Sequence, residues 1–139
     1  MDYKRVENSL IIRVDRGEEV IETLKTICEK EKVALGMVTG IGAANDITVG
    51  LFNTEEKKYY SKDFKGDFEI TNLAGNISTM KGETYIHLHI NITDDKMNTY
   101  GGHLNKAVIS GTGEIIVSIL NGQVDRAFSE DIGLNLYKF

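Results

Sequence analysis

Residues Tyr85-Ile86-His87-Leu88-His89-Ile90-Asn91-Ile92 alternate polar and apolar without a break. Ile86, Leu88, Ile90 and Ile92 fall on one side, and Tyr85, His87, His89 and Asn91 on the other, which is the period of a half-buried strand. Such a stretch commits the chain to a sheet whose one face is core and whose other face is polar. It also places His87 and His89 on the same face, about 7 Å apart at their Cα atoms. The third and last histidine, His103, follows a polar turn (Asp94 to Asn98) and a Gly101-Gly102 pair, and can return beside the first two. Three imidazoles in this pattern point to a metal site. Zinc is favoured because neutral imidazole suits it, with nickel or copper as alternatives. Three protein ligands leave a coordination position open.

Before this strand, Ser9 to Val14 reads as a strand. Asp15, with Glu18 three residues on, reads as a helix N-cap and capping box. The helix is expected to run to about Lys32, with Val20, Ile21, Leu24, Ile27 and Cys28 on its apolar face. Cys28 is there a buried thiol rather than a nucleophile. Strands follow at Val33 to Val38, Ile47 to Phe52 and Lys57 to Phe64, and Asp67 to Met80 reads as a longer strand or a bent pair. Gly40-Ile41-Gly42 lacks the third glycine and the following helix of a dinucleotide-binding turn, and reads instead as a bulge or a close backbone approach. Ser78-Thr79-Met80-Lys81 spells Ser-x-x-Lys, but Gly82 follows at once, with no helix to carry that chemistry. Glu114 to Leu120 is a strand, and Asn121-Gly122 is expected to turn it into a hairpin with Val124 to Phe128. Leu134 to Phe139 is a last short strand. One early helix and many short strands give an α+β class: a mainly antiparallel sheet with one principal helix packed on it. At 139 residues, without linker or repeat, the chain reads as one domain over 1–139.

Several stretches resemble the plants-and-prokaryotes conserved domain (PPC), known from plant AT-hook proteins. They are His87-Leu88-His89 with Gly101-Gly102-His103-Leu104, Gly66-Asp67-Phe68-Glu69-Ile70 leading into Leu73 to Ser78, Thr39 to Ala43, and Arg126 to Leu134. The resemblance spans about residues 8–137. It implies a stand-alone prokaryotic PPC-like domain, a helix against a β-sheet, assembled as a homotrimer. Prokaryotic members also carry a DNA-binding label. The chain has no Pro, so the Arg-Gly-Arg-Pro core of the AT-hook is absent, and Asp67 stands where the plant motif has Arg.

Charge bears on that label. The net charge is −5, and the richest basic stretch, Lys57, Lys58, Lys62 and Lys65, is interleaved with Glu55, Glu56, Asp63 and Asp67. That pattern is a solvated hairpin rather than a phosphate-binding surface, so nucleic acid is disfavoured as a partner. The N-terminus lacks the apolar core of a signal peptide, no apolar run is long enough to cross a membrane, and the single cysteine fits a reducing cytoplasm. The expected function is a trimeric, metal-holding binding or regulatory domain that takes an anionic small molecule. The alternatives are a DNA-binding or transcription-associated protein, and a zinc-dependent hydrolase or lyase of a small substrate. For the last, Glu69, Glu83 and Glu114 are the candidate bases, although no spacing fixes any of them beside the histidines. Arg126 reads as a surface residue by default and is the one candidate to clamp a carboxylate or phosphate.

Overall fold

A computed structural model describes residues 1–139. Eight strands and one helix follow in chain order: β1 (Asp2–Val6), β2 (Ser9–Val14), α1 (Val20–Lys30), β3 (Gly36–Asn53), β4 (Lys58–Met80), β5 (Glu83–Thr93), β6 (Thr99–Ile119), β7 (Asp125–Ser129) and β8 (Leu134–Lys138). Strands hold 68% of the residues and the helix 8%. The α+β class expected from the sequence is therefore corrected to a strand-dominated fold with one short helix. The physical reason lies in the long strands. Segments that read as separate short strands are continuous, 18 residues in β3, 23 in β4 and 21 in β6. Glycines and bulges bend these strands without ending them. Pairing shifts by a residue between Gly40 and Gly42, within the Gly-x-Gly expected to mark a bulge or close approach, and again between Ala44 and Asp46, where no irregularity was expected.

The strands run β1-β2-β6-β3-β4-β7-β8 across the sheet, and β5 pairs with both β4 and β6. Strands β3, β4, β5 and β6 thus close a ring, each paired with two others of the four. Every pairing is antiparallel except a single parallel bridge, Thr79 to Asp125, that joins β7 to β4. That bridge corrects a second expectation. Asn121-Gly122 does not fold β7 back on β6; β7 instead crosses to β4 and makes its hairpin with β8. The lysine-rich stretch does lie in a hairpin, the β3–β4 turn, with Lys58, Lys62 and Lys65 exposed.

One apolar cluster of 23 buried residues fills the space between sheet and helix. Val20, Leu24, Ile27 and Cys28 of α1 face it, with α1 against β5 and β6. Leu88, Ile90 and Ile92 meet them from β5, each at most 1% exposed. Burial holds the Cys28 thiol up at about 12, so it stays protonated and inert. The helix begins later than its sequence signals. Glu19, not Asp15, is the N-cap, its carboxylate accepting from the Glu22 N–H. The Asp15–Glu18 pair forms the preceding turn, in which Glu18 Oε2 accepts from the Asp15 N–H. Glu19 also accepts from the Ala107 N–H at 2.9 Å through its other carboxylate oxygen, fastening the helix start to β6.

Candidate metal centre

The alternation of β5 does what its period requires. With Leu88, Ile90 and Ile92 turned into the core, His87 and His89 project from the opposite face. His103 arrives on β6 directly opposite His89. One row of the ring reads Ala74, His89, His103, Gly50 across β4, β5, β6 and β3. His87 lies one step along the same face, opposite Asn76. The three ring centroids are 5.1 to 5.6 Å apart, and one nitrogen from each ring lies within 4.8 Å of the others.

Two glycines make this approach feasible. A Cβ on Gly75 would sit 2.0 Å from the His87 carbonyl oxygen, and one on Gly102 would sit 2.7 Å from that of Gly50. Gly102 lies inside β6, so its role is close strand contact rather than the chain reversal, which residues 94–98 perform. No ring makes a side-chain hydrogen bond. His103 is instead flanked edge-on by Tyr59 at 6.2 Å, whose hydroxyl donates to Asn105 Oδ1 at 2.5 Å.

The donor set fits a borderline-soft divalent ion. Nitrogens on one tetrahedral zinc sit about 3.4 Å apart, given bonds of roughly 2.0–2.1 Å. The present donors, all within 4.8 Å of one another, must draw closer to reach that value. Metal binding also requires neutral imidazole. Burial, then the nearby His103, Arg126 and His89, lowers His87 to about 4, and burial also lowers His103. Both rings are thus neutral in the physiological range.

These shifts have a stability consequence in the metal-free protein. In the unfolded chain both imidazoles take up protons near pH 6.5, whereas the folded chain resists until nearer pH 4 at His87. Stability from this source is complete above about pH 6.5 and is lost as pH falls toward 4. Thermal melts of the metal-free protein should decline across that window, and His87→Asn should flatten the decline. An unchanged slope in the variant would show that His87 is not the group responsible.

The histidines floor a cleft of about 1200 Å³. Arg126, read from sequence as a surface residue by default, is only 8% exposed and lies on its wall. Its Nε donates to Ser78 Oγ at 2.8 Å, Nη1 to the Asn135 carbonyl at 2.9 Å, and Nη2 to Asn76 Oδ1 at 2.8 Å. The guanidinium sits over the Tyr85 ring at 4.8 Å and the Tyr137 ring at 4.3 Å. Glu69, Glu83 and Glu114 are all exposed and none lines the cleft. The sequence reading missed Tyr59, Asn76 and Tyr137. Only distant pairing brings these to the histidines, so no local pattern announces them.

Residues 1–121 match the model of the Plants and Prokaryotes Conserved (PCC) domain, the domain also abbreviated PPC. The chain belongs to the PCC family. Among solved structures, this PCC chain is similar to a "putative dna binding protein" from Bacteroides thetaiotaomicron, with 35% identity, a TM-score of 0.97, and coverage of 99% of this chain and 96% of that one. A metal-containing protein from Archaeoglobus fulgidus shares 28% identity at a TM-score of 0.90, over 100% and 99% of the two chains. A PPC protein from Pyrococcus horikoshii shares 28% identity at a TM-score of 0.87, over 99% and 94%. No curated protein matches the chain. The PCC match stops short of β7 and β8, which supply Arg126 and Tyr137 to the cleft.

Proposed function

We propose that this chain is a stand-alone PCC domain, a single unit over residues 1–139, that holds one divalent transition ion on His87, His89 and His103. The observation that carries the reading is the convergence of three imidazole nitrogens, from two adjacent strands, within 4.8 Å. The metal-containing Archaeoglobus relative supports it. Zinc is the favoured ion, since the donors are all nitrogen and no oxygen-rich cage surrounds them. A bound ion would supply Lewis acidity at an open position facing the cleft. The residues of the chain supply binding more clearly than turnover, because no carboxylate lines the cleft to serve as a general base. A role in binding or regulation is therefore preferred over a hydrolase or lyase, and Arg126 is the proposed contact for an anionic small molecule.

We further propose a homotrimer working in the cytoplasm. Ile11, Met37, Ile41 and Ile116 are all more than 40% exposed on the neighbouring strands β2, β6 and β3, an apolar face suited to self-association. No helix is long and apolar enough to cross a membrane. The name of the Bacteroides relative favours a second reading, DNA binding. Against it stand the net charge of −5 and the pairing of Lys65 and Lys106 with Asp46, at 2.6 and 2.7 Å. A gel shift at physiological salt separates the two readings.

Native mass spectrometry of protein purified without a histidine tag, after zinc is supplied, should give a trimer with three ions. A metal-free spectrum would end the metal-centre reading, and a monomer at micromolar concentration would end the trimer.

A further inference from the structure

The wall of the cleft differs sharply in chemistry from the rest of the molecule. Five of the six tyrosines and three of the five phenylalanines line it. The chain carries 21 carboxylate side chains, and none of them is there. Its two non-histidine cations are Lys62 and Arg126, and neither belongs to any ion pair of the structure. For Lys62, an exposed side chain, that is unremarkable in itself. For Arg126 it is not. Arg126 is only 8% exposed as a residue, and its guanidinium, with three neutral acceptors and two aromatic faces, has given up hydration and gained no countercharge. Three of its five N–H groups are engaged, which leaves donors on Nη1 and Nη2.

We propose that this cleft binds a small organic oxyanion with a flat aromatic body. The oxyanion sits toward Arg126 and the histidine floor, and supplies the countercharge that the buried guanidinium lacks. The aromatic body lies along the tyrosine-rich walls, where stacked and edge-on contacts favour planar groups. Lys62 adds long-range attraction at the mouth. The absence of carboxylates is what admits the anion, since an acidic lining would repel it in a chain that is already net negative. The C-terminal hairpin of β7 and β8 contributes the outer wall through Phe128, Leu134 and Tyr137. Arg126 and Tyr137 come from this hairpin, outside the span matched by the family model, whereas Lys62 and the other four cleft tyrosines lie within it. The location of the site rests on the metal-centre reading, and its selectivity does not.

Isothermal titration calorimetry on the zinc-supplied full chain, with benzoate, phenyl phosphate, acetate, inorganic phosphate and benzyl alcohol, tests this. Each aromatic anion should bind at least tenfold more tightly than its non-aromatic counterpart and than the neutral alcohol. The tighter of benzoate and phenyl phosphate identifies the head group. Lys62→Gln, at an exposed position, should weaken the aromatic anions at least threefold. Arg126→Lys, which keeps charge but loses the planar fork, should weaken them more; if that variant fails to fold, Lys62→Gln still decides. An aromatic preference below twofold, or benzyl alcohol binding as well as benzoate, overturns the proposal. Zinc content measured on the same sample reads the metal centre separately. Should zinc not load, the same ratios on the metal-free protein still decide the ligand class.

Discussion

Substitution of His103 by alanine is expected to abolish metal retention while leaving the sheet folded. His103 is one of only three nitrogen donors, and the lining offers no carboxylate or thiolate to replace it. Loss of even a supporting hydrogen bond to a metal ligand costs 10–100-fold in affinity, so loss of the ligand itself should cost at least about 100-fold. The fold has little reason to fail. His103 points away from the core, its ring makes no hydrogen bond, and its neighbour Leu104 keeps the buried position. Metal analysis after dialysis should fall from near one ion per chain to a trace, with the circular dichroism spectrum and the metal-free melting temperature close to those of the parent. Full metal occupancy in the variant would remove His103 from the ligand set. Unfolding of the variant would mean that its role is structural.

The second large effect is expected from Gly75→Ala, a change of one methyl group with no histidine touched. That methyl would lie 2.0 Å from the His87 carbonyl oxygen and 2.9 Å from the Leu88 Cα, both backbone atoms of β5. Neither can swing aside as a flexible side chain would, so β5 has to separate locally from β4. Overpacking costs typically 1–3 kcal/mol and more where backbone must move, and here about 3 kcal/mol is a reasonable floor. For a chain of this length that is roughly 10 °C in melting temperature. Because the displaced residue is His87 itself, metal affinity should fall together with stability, whereas His103→Ala separates the two. Unchanged stability in Gly75→Ala would mean that β4 and β5 are not packed at this spacing.

The floor of the site was legible in the sequence because it is local. Alternation over eight residues of β5 assigns faces without any knowledge of the partner strands, and it put His87 and His89 on the polar side. The position of His103 needed only a return by the next strand. The walls depended on long-range pairing instead. Tyr59, Asn76 and Tyr137 come from β4 and β8, and no period in the chain records which strands lie beside β5. Arg126 was marked as a candidate anion contact, but its burial follows from β7 crossing to β4, and Asn121-Gly122 signalled a different hairpin. The fold class failed for a related reason. Gly40, Gly42 and the bulge at Ala44 to Asp46 look like ends of strands when read locally, yet the chain continues through them because neighbours on both sides keep its backbone paired.

The ring of β3 to β6 divides the site by how easily its parts can open. His89 and His103 lie where their strands are paired on both flanks, so neither can leave its place without breaking two ladders at once. Such positions exchange their amide hydrogens only through openings close to global unfolding. The β7–β8 hairpin is joined to the ring by one parallel bridge at Thr79 and otherwise by side-chain hydrogen bonds, from Arg126 to Ser78 and Asn76, from Thr79 to Asp125, from Asn135 to Tyr85 and from Lys57 to the Glu130 carbonyl. The cleft therefore joins an anvil to a looser flank: His89 and His103 sit in the doubly paired ring, whereas the outer wall comes from a hairpin tied to it by one backbone bridge and a few side-chain hydrogen bonds.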